Sequence, residues 1–297
     1  HFNKADSVET IITRSDNAMY LAKGDVASNI AFYTDAVHQQ LMHQMQVLEG
    51  IHEALAADQL FMHYQPQFNH LQELIGVEAL VRWQHPQLGL LTPDQFIGLA
   101  EQYHRINEIG SWVLDRVLSQ VAQWRQAGYV LPKVAINISP MQLLDENFSV
   151  VVGQLAEQYG INPEGIVFEI TESADIEHFN LISTVLAELK VQGYRFSLDD
   201  FGTGYASMTH FKRLPFSQVK IDQSFVADID SNADSLAIVE VVLAMARSLK
   251  LEVIAEGVET QSQLEILNKL GCTGYQGYLF SKPLSVQAIT SLLRRGD

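Results

Sequence analysis

The sequence predicts an α/β chain, a modified (β/α)8 TIM-like barrel with an antiparallel first strand, preceded by a helical segment. Three observations carry this. From residue 60 onward, short apolar or β-branched runs recur eight times. Amphipathic stretches of helical length separate most of them, a rhythm that implies parallel strands covered by helices. The first two runs are joined only by Asn69–Leu74, too short for a crossover helix, so they should pair antiparallel. An open doubly wound sheet is the competing architecture, but no Gly-rich dinucleotide loop follows the first run.

In chain order, residues 1–33 do not read as a complete domain, and Arg14–Lys23 has the spacing of a single packed helix. A connector helix follows over 34–59. Val37, Leu41, Met45, Leu48, His52 and Leu55 recur there at steps of three and four, a narrow stripe. It suits either a helix lying on the next domain or a signalling or dimer helix. The barrel occupies 47–297, its start overlapping the connector. Its expected strands are Leu60–Phe68, Ile75–Trp83, Val134–Ser139, Ile166–Thr171, Tyr194–Asp200, Gln218–Asp222, Glu252–Gly257 and Gly274–Phe280. Helices are expected near Pro93–Tyr103, Glu108–Ala127, Phe148–Tyr159, Phe179–Gln192, Tyr205–Arg213, Ala233–Leu249, Gln261–Leu270 and Val286–Arg294.

The 297 residues suffice for a sizeable core, in one large domain or two small ones. Nineteen basic against 35 acidic residues give −16, which argues against a broad surface for duplex nucleic acid. An anionic substrate would need metal ions or a few placed cations to reverse the local field. The single cysteine, Cys272, forms no intrachain disulfide and suits a reducing, cytoplasmic setting. No apolar run reaches membrane-spanning length. The chain opens on His1 rather than Met. It therefore reads as a piece of a longer protein, whose membrane anchoring stays open.

In such barrels chemistry gathers at the carboxyl ends of the strands, and the expected strand ends are consistent with one another. The second strand carries Glu78 and Arg82, the third Asn137 and Ser139, and the fourth Glu169 and Glu172. The fifth ends in Asp199-Asp200, the sixth in Lys220 and Asp222, the seventh in Glu256, and the eighth carries Gln276. Carboxylates and an amide oxygen are hard ligands, suited to Mg²⁺ or Mn²⁺. The Asp199-Asp200 pair lets one carboxylate bridge two ions while its neighbour binds one of them. Two ions about 3.5–4 Å apart can clamp the attacking and leaving oxygens of phosphoryl transfer. Lys220 could hold the attacking water or stabilise phosphoryl charge. Glu256 could bind the second metal or take the proton from that water.

Glu78-Ala79-Leu80-Val81-Arg82-Trp83 resembles the signature of the EAL-domain phosphodiesterases of bacterial cyclic di-GMP signalling. Companion motifs occur in order: Tyr64-Gln65-Pro66, Asn137-Ile138-Ser139, Phe168–Glu172, Asp199–Tyr205, Val219–Asp222, Glu256–Thr260 and Gln276-Gly277-Tyr278. The resemblance covers about 47–295 and implies hydrolysis of cyclic di-GMP to linear pGpG with two Mg²⁺ or Mn²⁺ ions per site. By family roles Glu78, Asn137, Glu169 and Asp199 hold one metal. Asp199 and Asp200 hold the second, with Glu256 beside it as a possible base, and Lys220 positions the water. Gln65, Arg82, Gln142, Gln276 and Tyr278 are implied as substrate contacts or supports. Glu172, with Asp222, is implied to steady the loop after Asp200, and a homodimer through the barrel is implied. That loop reads Gly204-Tyr205-Ala206-Ser207, where the family commonly has a second serine in place of Ala206. The alternative function is therefore a catalytically weak or inactive module that binds cyclic di-GMP as a sensor or regulator. Arg14–Lys23 resembles the final helix of a GGDEF diguanylate cyclase domain, which implies that domain and a sensor upstream in the parent chain.

Overall fold

The computed structural model describes residues 34–129, 132–171, 178–202 and 213–294. The expected final GGDEF-like helix, Glu172 and the stretch Thr203–Lys212 lie outside them.

A helix, α1 (Asp35–Ala56), leads into strand β1 (Leu60–Phe68). Strand β2 (Leu74–His85) follows, antiparallel to it over its whole length, from Leu60 opposite Trp83 to Phe68 opposite Leu74. The remaining barrel strands are β4 (Val134–Asn137), β5 (Ile166–Thr171), β6 (Arg195–Phe201), β7 (Gln218–Ile221), β8 (Glu252–Ala255) and β9 (Gly274–Tyr275). From β2 through β9 each pairs parallel with the next. β9 returns to β1 antiparallel at Phe68 opposite Tyr275, so eight strands close the ring with only the first reversed. Two short strands were not anticipated. β3 (Gly89–Leu91) extends the hairpin from β2, and β10 (Leu284–Ser285) pairs with His63 and Tyr64 of β1.

Pro66 sits in the middle of β1, where a proline removes a ladder donor. On the closing side, β10 reaches Tyr64 and β9 reaches Phe68, so no ladder partner faces Gln65–Gln67 there. The missing N–H is tolerated in this gap.

Helices α2 (Ile97–Gln102), α3 (Ile106–Gln126), α4 (Phe148–Tyr159), α5 (Phe179–Gln192), α6 (Gln223–Ala227), α7 (Ala233–Leu249), α8 (Gln261–Leu270) and α9 (Val286–Leu293) cover the outside. α3 shows the expected one-sided burial, with Ile109, Val113, Val117 and Trp124 turned inward. Left-handed glycines stop α4, α5 and α8 at Gly160, Gly193 and Gly271. Thr260 and Gln263 cap α8 reciprocally.

Four expectations are corrected. The helix near Pro93–Tyr103 is broken at Phe96 into a 3-10 turn (Pro93–Gln95) and α2. α6 was not foreseen, because five residues are too few for a periodic signal. The eighth strand ends at Tyr275 rather than Phe280, because Gln276 and Leu279 pair with Val258 and Phe280 turns back onto Gly277. The connector helix is rolled away from the expected stripe. Leu41 is buried, and Leu48 and Leu55 are partly so, but Met45 and His52 face solvent. The core contacts come instead from Val47, Ile51 and Ala54. The helix comes close to the barrel at Gly50, where an added Cβ would come 2.9 Å from the Trp83 ring. Helix α1 thus lies on the barrel.

Candidate active site

The parallel strands bring their carboxyl ends together around one ammonium group. Lys220, in the short buried strand β7, is 1% exposed. Its Nζ lies 2.8 Å from Glu256 Oε1, 2.9 Å from Glu169 Oε2, 3.2 Å from Asp199 Oδ1 and 3.3 Å from Glu78 Oε2. One cation therefore faces four carboxylates. Burial opposes its charge, but the four acids outweigh burial and hold its pKa well above the ordinary lysine value.

The neighbours of each acid set its protonation. Glu78 is buried, yet Lys220 and hydrogen bonds from Gln276 and Asn137 outweigh that and lower its pKa. Its Oε1 accepts from Asn137 Nδ2 at 2.7 Å and its Oε2 from Gln276 Nε2 at 2.6 Å. Burial and the Glu78 charge push Glu169 well up. Burial, then Asp199 and Glu78, push Glu256 up to about 8 despite Lys220.

Asp199 and Asp200 are adjacent, and in a regular strand adjacent side chains point to opposite faces. Two local irregularities remove that alternation. The pairing of β6 with β7 shifts register between Leu198 and Phe201, and Asp200 adopts a left-handed φ of 55°. Both carboxylates thereby reach one place. One oxygen each from Asp199, Asp200 and Glu256 lie within 4.8 Å of one another. A strained backbone of this kind persists where the surroundings over-determine it. Burial, with Asp199 and Asp222 as neighbours, raises the Asp200 carboxyl to about 6.

This donor set fits divalent cations. It consists of oxygen ligands, carries an excess of carboxylates over ammonium, and leaves Glu169 Oε1 buried with no hydrogen-bond partner. Asp199, Asp200 and Glu256 offer one oxygen each to a common ion, and Glu78, Asn137 and Glu169 lie beside them as further oxygen donors that could hold one.

The other expected residues divide into groups. Gln276 and Gln65 join the site, with Gln276 Nε2 donating to Gln65 Oε1 at 3.1 Å as well as to Glu78. Arg82 is 8% exposed, donates to the Val81 carbonyl at 2.8 Å, and makes no ion pair among the described residues. Gln142 is buried and accepts from the Ser139 N–H at 3.1 Å, so it braces the end of β4. It also lines, with Asn137, Ser139 and Arg82's neighbour Val81, a cavity of about 490 Å³ walled by Ile97, Ile106, Ile109 and Pro140. Tyr278 stands 55% exposed on the rim, with Lys282 Nζ 5.1 Å from its ring centre. Asp222 caps α6, accepting from Ser224 N at 3.0 Å, and neighbours Asp200. Glu172 and Ala206 lie outside the described residues. Gln67, buried and bonded to Gln276, was missed. The available signal was its place two residues from Gln65 on the same face of β1.

Residues 49–283 match the family of the EAL domain. A solved structure described as PaMucR phosphodiesterase in a c-di-GMP complex is 39% identical, with a TM-score of 0.78, covering 82% of this chain and 99% of that one. This chain belongs to the EAL domain family. EAL-domain relatives include the bifunctional diguanylate cyclase/cyclic di-GMP phosphodiesterase MucR of Pseudomonas aeruginosa, 37% identical over 280 residues, 94% of this chain and 41% of that protein. The cyclic di-GMP phosphodiesterase PdeR of Escherichia coli is 38% identical over 285 residues, 96% of this chain and 43% of that protein. The chain thus spans about two fifths of the length of these curated relatives. The EAL enzyme Bd1971, in its cAMP- and cyclic-di-GMP-bound form, superimposes with a TM-score of 0.80 at 29% identity over 98% of this chain and 77% of that one. No helix among the described residues is long and apolar enough to cross a membrane.

Proposed function

We propose that this EAL domain hydrolyses one phosphodiester bond of cyclic di-GMP to give linear pGpG, using two Mg²⁺ or Mn²⁺ ions. The observation that carries this reading is the gathering of five carboxylates and Asn137 around the buried Lys220. The relatives MucR and PdeR are named for cyclic di-GMP, which points to the substrate.

Glu78, Asn137, Glu169 and Asp199 would hold one ion, and Asp199, Asp200 and Glu256 the other. Bound there, the ions supply a polarised phosphoryl oxygen and an acidified water. The Lys220 ammonium, fixed by four acids, orients the attacking water and offsets charge on the phosphoryl oxygens. Glu256, beside the second ion, is the group placed to take the proton from that water. Arg82 is a buried guanidinium with no ion pair among the described residues, suited to a phosphate, and Gln65 and Gln276 support the site beside Glu78. The exposed Tyr278 ring offers a face for a base at the rim.

A homodimer through the barrel belongs to the same reading, resting on the family resemblance, and light scattering tests it. An upstream GGDEF domain and sensor in the parent chain belong to the same reading and rest on the resemblance of Arg14–Lys23. For the activity itself, purified protein with Mg²⁺ or Mn²⁺ should convert cyclic di-GMP to pGpG, followed by chromatography. A folded, metal-replete protein that binds cyclic di-GMP and leaves it intact would overturn the reading.

A further inference from the structure

Three buried glutamines form one directed chain behind the acid cluster. Gln67, Gln276 and Gln65 are 4%, 4% and 8% exposed. Gln67 Nε2 donates to Gln276 Oε1 at 2.9 Å. Gln276 Nε2 donates to Glu78 Oε2 at 2.6 Å and to Gln65 Oε1 at 3.1 Å. Gln65 Nε2 passes the chain out to the Ser281 carbonyl at 3.1 Å.

The sense of this chain is dictated by chemistry. An ionised carboxylate only accepts hydrogen bonds, so Glu78 requires the NH₂ end of Gln276. The carbonyl end of Gln276 must then face the other way, and there it meets Gln67. A buried amide oxygen left without a donor is costly, and Gln67 supplies that donor. Were it removed, the Gln276 amide could satisfy its oxygen only by rotating, which would present oxygen to the Glu78 carboxylate and repel it. The backbone makes room for Gln67. A Cβ on Gly76, directly across the β1–β2 ladder, would come 2.8 Å from Gln67 Oε1. An interior position that an apolar side chain of equal length could fill is thus given to an amide and a glycine.

We infer that Gln67 is a positioning residue, which acts through Gln276 to hold the Glu78 carboxylate in the orientation that binds metal. This rests on the reading of Glu78 as a metal-holding residue. Gln67 itself touches neither metal nor substrate in this account. Partners that orient metal ligands from behind are worth about 10- to 100-fold in metal affinity.

The test is calorimetric titration of Mn²⁺ into metal-stripped protein, comparing wild type, Gln67→Met, Gln276→Met, the double variant and Glu78→Gln. Thermal unfolding checks that each is folded, and Gln67→Leu, which also lacks the donor, replaces Gln67→Met if the latter is not. Gln67→Met should weaken the tighter Mn²⁺ site about tenfold, and Gln276→Met at least as much. The double variant should bind like Gln276→Met alone, because Gln67 has no other route to the site. Wild-type affinity in Gln67→Met, or losses that multiply in the double variant, would overturn the inference. Unchanged affinity in Glu78→Gln would instead overturn the metal reading beneath it.

Discussion

Lys220 Nζ lies 2.8 Å from Glu256 Oε1, and still the Glu256 carboxyl is raised to about 8. The ammonium is shared among four acids, and burial with Asp199 and Glu78 exceeds the share that reaches Glu256. Without divalent ions, burial and the crowded negative charge favour the protonated forms of both Glu256 and Glu169.

Divalent ion binding should therefore release protons. A carboxylate must be deprotonated to coordinate, and Glu256 and Asp200 start with pKa values of about 8 and about 6. Calorimetry of Mg²⁺ binding at pH 7, in buffers of different ionisation enthalpy, should show net proton release that fades above about pH 9. Heats independent of the buffer at pH 7 would contradict it.

The same shifts set the pH dependence of folding without metal. Both groups have folded values above their ordinary ones, 4.5 for Glu256 and 3.8 for Asp200. The folded state then binds protons more tightly, so their contribution is greatest below the ordinary values and is lost as pH rises through the folded ones. In excess chelator the thermal midpoint should fall as pH goes from about 5 to about 8. Saturating Mg²⁺ should flatten that slope, and equal slopes with and without Mg²⁺ would refute the placement of the ions.

Replacing Lys220 with Met removes the one cation among four carboxylates. Breaking a buried ion pair by deleting one partner destabilises by about 3–5 kcal/mol, and the metal-free variant should lose stability on that scale by chemical denaturation. With Mn²⁺ bound, turnover should fall about 100-fold or more. Retained turnover at saturating Mn²⁺ would show that the ammonium only organises the empty site.

Glu78→Ala should also cost stability without metal, since the fold favours the Glu78 charge and the variant leaves the Asn137 and Gln276 amides without their acceptor. Activity should drop by two orders of magnitude or more, with the metal-free thermal midpoint lowered. Activity retained in the folded variant would contradict the reading of Glu78 as a metal-holding residue.

Much of this was legible in the sequence because strand-borne function leaves short, ordered signals. The limits expected for Leu60–Phe68, Ile166–Thr171, Phe148–Tyr159 and Phe179–Gln192 match the structure. Asp199 and Asp200 could be read as a functional pair, but the bulge that turns them the same way could not. It depends on pairing with a strand some twenty residues later. The roll of α1 was hidden for a similar reason. Its stripe of Leu41, Met45, Leu48 and His52 fits the helix alone, whereas Gly50 is explained only once Trp83 is in place. Spacing from Gln65 could place Gln67 on the inner face of β1, but not reveal its role, which lies in which end of another amide it faces.

The reversal of β1 has one more consequence. In a barrel whose strands all ran the same way, a chain entering the first strand would arrive at the floor, opposite the reacting groups. Here Leu60 lies opposite Trp83, near the carboxyl end of β2, so the chain arrives at the mouth. The helix that delivers it rests Gly50 on Trp83, five residues along the strand that carries Glu78. Entrance and acid cluster therefore share one end of the barrel, and the incoming helix packs on the same strand that carries Glu78.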